Sequence, residues 1–115
     1  MRLLPGLVCV LLASAGTAAL AHAHLEKTTP ADGSVITAAP QNLVLEFSES
    51  AQLAALWIAA DGSSRRKLTP LPQQSEQRIV VALPNLAPGS YLVSWRVVGA
   101  DGHVVPGQIR FTLTR

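Results

Sequence analysis

The chain carries three histidines, His22, His24 and His103, and its one cysteine and one methionine, Cys9 and Met1, both lie in the first ten positions. His103 closes the stretch Ala100-Asp101-Gly102-His103. A carboxylate two residues before an imidazole can converge with it on one point in either of two backbones. In extended chain, positions i and i+2 share a side. In a loop, the intervening glycine permits the bend. Such a pair is half of a metal site. Asp-Gly is also an ordinary hairpin turn, and the chain uses it again at Asp32-Gly33 and Asp61-Gly62, with no histidine following. The other half must come from a distant position, and His24 is the candidate.

His24 matters because of what precedes it. Arg2 is a short positive region, Leu3 to Leu12 is apolar, and Ala13 to Ala23 is rich in small residues. Ala21-His22-Ala23 fits a small-x-small cleavage site, so residues 1–23 read as a secretory signal and 24–115 as the mature domain. The run from Leu3 to Ala21 is also long enough to span a membrane, but its Pro, Gly, Ser and Thr content favours cleavage. A second small-x-small site, Ala19-Leu20-Ala21, would leave His22 first instead.

Cleavage after Ala23 makes His24 the N-terminal residue. Its α-amine and ring Nδ1 then close a six-membered chelate on one ion. With the His103 imidazole and the Asp101 carboxylate the donor set is three nitrogens and one oxygen. In a tetragonal arrangement that set favours a single Cu(II), and zinc would accept the same residues in a tetrahedron. The mature segment has no Cys and no Met, the soft donors that Cu(I) prefers. Cleavage after Ala21 offers a different site, in which the histidine at position three binds Cu(II) with the amine and backbone amides, independently of Asp101 and His103. No other cofactor is implied. Ser34, Ser48 and Ser50 have no spare mature histidine as a base, which disfavours a hydrolase triad.

The scaffold reads as all-β. Leu25 to Thr29, Leu43 to Phe47, Leu53 to Ala59, Arg66 to Thr69, Arg78 to Leu83, Tyr91 to Val98 and Ile109 to Leu113 each read as a strand. Leu43, Leu45 and Phe47 fall on one face, as do Tyr91, Val93, Trp95 and Val97, and then Ile109, Phe111 and Leu113. Pro30 to Gly33, Asp61-Gly62 and Pro88-Gly89 are turn signals. No stretch beyond the leader has a helical period. About seven short strands in one small domain predict an antiparallel, immunoglobulin-like Greek-key β-sandwich or barrel. Tyr91, after Pro88-Gly89, suits a tyrosine corner. Trp57 and Trp95 read as core or half-buried strand residues. Mature charge is near neutral, and Arg65-Arg66-Lys67, with no interleaved aromatics, reads as a solvated hairpin edge and not a nucleic-acid patch.

These residues carry a resemblance. His24-Leu25, Thr29 to Gly33, Ala39-Pro40, Leu45 to Glu49, Gly89 to Val98, Ala100 to His103 and Gly107 to Phe111 together resemble the CopC family of periplasmic copper-resistance proteins, in the family's order and over the whole mature domain. The resemblance implies an immunoglobulin-like fold, a periplasmic Cu(II) site at His24, Asp101 and His103, no enzymatic activity, and a CopD-type copper transport protein of the inner membrane as partner. Glu49 of the Phe47-Ser48-Glu49 motif is a candidate axial or supporting carboxylate, or else a solvated turn glutamate. Members with a methionine-rich Cu(I) loop differ from this chain, which has no mature methionine. Two other functions are weighed. An N-terminal histidine with a second histidine resembles the copper brace of lytic polysaccharide monooxygenases, but Asp101 would fill a position that oxygen activation needs open. A metal-free interaction sandwich is the other.

Overall fold

The computed structural model describes residues 23–115. Apart from Ala23, the expected leader lies outside the described residues. Seven strands follow one another, with no helix among the described residues. They are β1 (Leu25–Thr29), β2 (Ser34–Ile36), β3 (Asn42–Ala60), β4 (Arg66–Lys67), β5 (Glu76–Ala82), β6 (Gly89–Gly99) and β7 (Val104–Leu113).

The molecule is built around β3, which runs for 19 residues. Its first half pairs with β1 on one side and β5 on the other. Its second half pairs with β6 and β4, and β6 leads on to β7 and then β2. The sheet therefore curls on itself, and the two halves enclose one core. Leu43, Leu45 and Phe47 enter it from the first half, and Leu56, Ile58, Tyr91, Val93, Trp95, Val97, Ile109, Phe111 and Leu113 from the second. The expected alternation holds at all of these positions in β6 and β7. The Tyr91 hydroxyl donates to the Ala87 carbonyl, and its ring stacks on Phe111 with centroids 5.5 Å apart. This is the expected corner.

Two features depart from the sequence reading. The segments expected as separate strands at Leu43–Phe47 and Leu53–Ala59 are one continuous strand. The backbone stays extended through Ser48, Glu49 and Ser50 while the pairing changes partner, with register shifts between Glu46 and Ala51 and between Leu53 and Ala55. The crossing residues Ser48, Glu49 and Ser50 are polar and not buried, and the inward face switches from odd to even positions only at Leu56, beside the second shift, so a continuous strand reads as two. The second departure is β2, which lies parallel to β7 in an otherwise antiparallel sheet. It has only three residues, and its central Val35 is 67% exposed, so it shows no apolar period. The preceding turn attaches it. Asp32 Oδ1 accepts from the Arg110 backbone N at 2.9 Å, and Gly33 N donates to the Arg110 carbonyl at 2.6 Å.

Candidate metal centre

Asp101, Gly102 and His103 form the turn joining β6 to β7. Gly102 sits at φ +84°, a left-handed conformation that favours glycine. Its N–H donates to the Gly99 carbonyl at 2.9 Å, and the Gly99 N–H donates to the His103 carbonyl at 3.1 Å. The tight loop brings Asp101 against His103. Asp101 Oδ1 accepts from the His103 backbone N at 3.0 Å, and Oδ2 lies 3.0 Å from His103 Nδ1. The His103 side chain is 72% exposed and that of Asp101 24%. A contact so open to water contributes at most about 1 kcal/mol to stability. Its consequence is orientation. With Nδ1–H donating to the carboxylate, Nε2 carries the ring's lone pair and the imidazole is held in one rotation. Carboxylate-buttressed imidazoles of this kind are common metal ligands.

His24 immediately precedes β1 and extends its pairing by one residue. The Ser48 N–H donates to the His24 carbonyl at 2.8 Å, and the His24 N–H donates to Ser48 Oγ at 2.9 Å. Ser48 lies where β3 crosses between the two halves, and Ala51, on the same crossing, pairs with Gly99 at the mouth of the Asp101–His103 turn. Three residues of extended chain span about 10 Å. The three expected ligands therefore stand at one end of the sandwich. The structure brings Asp101 and His103 into contact and seats His24 against Ser48 of β3. Among the described residues no three His, Cys, Asp or Glu side chains assemble at metal-holding separation. The His24 nitrogen is here a peptide N–H joined to Ala23 and donates to Ser48 Oγ. Ala23 itself is buried in the core cluster.

Glu49 is exposed on the same crossing. The residue the sequence reading passed over is Ser48, which fixes His24 from both its N–H and its hydroxyl. The Phe47-Ser48-Glu49 motif was its only signal. No helix among the described residues is long and apolar enough to cross a membrane.

The curled sheet and this turn define a small immunoglobulin-like domain with an oriented carboxylate–imidazole pair exposed at one end. The chain belongs to the CopC family, whose domain model matches residues 25–114. Protein YobA of Escherichia coli K12 is 37% identical over 98 residues, covering 81% of this chain and 79% of that one. The crystal structure of CopC from Methylosinus trichosporium OB3b aligns with a TM-score of 0.70 and 26% identity, over 80% of this chain and 93% of that one. PcoC, described as a methionine-rich copper resistance protein from Escherichia coli, aligns with a TM-score of 0.60 and 28% identity, over 82% of this chain and 100% of that one.

Proposed function

We propose that residues 24–115, released by cleavage after Ala23, form a periplasmic protein that binds one Cu(II) ion and serves copper sequestration or trafficking in homeostasis and resistance. His24, Asp101 and His103 are the ligands. The observation that carries this reading is the Asp101–His103 pair, which presents a pre-oriented imidazole and a carboxylate from one tight turn. Nitrogen and oxygen donors suit Cu(II). Membership of the CopC family and similarity to a copper resistance protein support copper over zinc. PcoC is described as methionine-rich, whereas residues 24–115 here contain neither Met nor Cys. A Cu(I) site of thioethers therefore has no donors in this domain.

Copper is cargo in this account, and no side chain is assigned a catalytic step. Cleavage would convert the His24 N–H into an amine able to chelate with Nδ1, while Ser48 holds the residue beside β3. A CopD-type transport protein of the inner membrane is the proposed exchange partner, with this domain itself outside the bilayer.

The 3.0 Å contact between Asp101 Oδ2 and His103 Nδ1 favours a second reading of one ligand. Asp101 then acts through His103 as a positioning residue. Electron paramagnetic resonance of the Cu(II)-loaded domain separates the two. His103→Ala should remove one nitrogen from the hyperfine pattern and weaken binding by about tenfold or more. Asp101→Asn should change the copper parameters if the carboxylate is a ligand. It should leave them intact, with weaker binding, if the carboxylate only positions the ring. An unchanged spectrum and affinity in both variants would overturn the assignment of this turn as the site.

A further inference from the structure

Away from the metal end, the outer face of the β4-β3-β6-β7 sheet carries a second constellation. Trp57 on β3 lies opposite Lys67 on β4 and Ser94 on β6, and Ser94 lies opposite Gln108 on β7. Directly opposed residues share a face, so these four form one row across the sheet. Arg96 stands on the same face two residues further along β6, whereas Arg110 on β7 lies beside Asp32 and Asp61 and is not part of this group. The Arg65 guanidinium lies 4.0 Å from the Trp57 ring centroid and that of Arg96 lies 5.2 Å from it. A groove of about 350 Å³ runs beside them, lined by Trp57, Arg65, Ser94, Arg96 and Gln108 among others. Among the described residues Arg65, Lys67 and Arg96 form no ion pair with a carboxylate. The other half of the sandwich differs, since Glu46 there stands between Lys27 and Arg78.

Self-repelling cations gathered on one face without counter-charges destabilise the isolated domain slightly. Stacking on an indole recovers part of that cost and fixes the guanidinium planes. Planar guanidiniums held in place are suited to carboxylates, which they bind through paired N–H bonds. We propose that this face is a docking surface for an acidic segment of a protein partner, with carboxylates paired to Arg65 and Arg96 on either side of Trp57. An anionic lipid surface is the less suitable occupant. Trp57 is half-buried and overlaid by guanidiniums, so it presents no protruding ring to enter a bilayer, and the groove is concave. The surface is distinct from the metal end, and docking there requires no bound metal.

The test uses the metal-free domain, isotope-labelled for nuclear magnetic resonance, and a synthetic Glu–Ser repeat peptide with its Gln–Ser counterpart. The Trp57 indole N–H and the Arg65 and Arg96 Nε–H signals should shift with the acidic peptide at low ionic strength and not with the neutral one. Arg65→Gln with Arg96→Gln should weaken binding roughly tenfold, the scale of two exposed charge pairs. Lys27→Gln with Arg78→Gln removes the same charge from the other half and should leave binding within about twofold. All four positions are exposed, and retained thermal unfolding shows that each variant folds. Equal losses in both double variants would overturn the proposal in favour of net charge alone. So would shifts with vesicles of phosphatidylcholine and phosphatidylglycerol in the absence of shifts with the peptide.

Discussion

Gly107→Ala should destabilise the domain through one buried contact. Gly107 faces Trp95 across the β6–β7 pair. A Cβ built there would lie 2.5 Å from indole Cε2 and 2.6 Å from Cζ2 and Nε1, far inside contact distance. Trp95 is only 2% exposed, so the ring cannot swing into solvent. Either the indole leaves its preferred rotamer or β7 moves away from β6. Overpacking of this kind costs about 1–3 kcal/mol, which for a domain of this size lowers the melting temperature by roughly 5–20 °C. Gly62 provides the comparison. It has φ +77° and nothing within 4 Å of an added Cβ, so Gly62→Ala carries only left-handed backbone strain, about 1 kcal/mol. The mechanism is tested by a double-mutant cycle in urea or thermal unfolding. Trp95→Phe removes the indole edge and is destabilising by itself through lost burial. Combined with Gly107→Ala, the total loss should fall short of the sum by about 1 kcal/mol or more. Strict additivity, or a Gly107→Ala variant as stable as the parent, would refute the steric argument.

Tyr91→Phe keeps the ring on Phe111 but removes the bond to the Ala87 carbonyl. It should cost about 1 kcal/mol in denaturant unfolding, with copper uptake unchanged. For the proposed copper site, affinity should fall as pH falls, because imidazoles and an amine must lose protons before they ligate. The sign is fixed by competition between proton and metal for the same lone pairs. Chelator competition at several pH values measures it, and an affinity that rises on acidification would contradict these donors.

The parts of the fold legible in the sequence were those with one buried face. In Tyr91–Val97 and Ile109–Leu113 every second side chain is in the core, and the alternation is plain. Continuity of β3 was hidden, because Ser48, Glu49 and Ser50 at the change of partners are polar and not buried, and the inward face switches parity further on, at Leu56. The parallel β2–β7 pair was hidden because the Asp32 carboxylate and the Gly33 N–H attach it to Arg110, and neither leaves an apolar period. Within the candidate site, Asp101-Gly102-His103 was legible from chemistry and spacing, and the structure places its two polar side chains in contact. The role of Ser48 was not legible, since a serine in a strand looks the same whether or not it holds a distant residue. The Arg65 and Arg96 guanidiniums on Trp57 were equally hidden. Arg65 and Arg96 are far apart in sequence, and only the pairing of β4 and β6 with β3 brings them to one ring.

The central claim is that processing completes the metal site. It is tested by preparing the domain with His24 as its first residue and again with one extra residue before it. Cu(II) titration followed by electron paramagnetic resonance should show one tight equivalent with the amine and Nδ1 chelate in the first form. In the second form, binding should be weaker and the nitrogen pattern altered. Identical spectra and affinities in the two forms would contradict the account, even with copper bound in both.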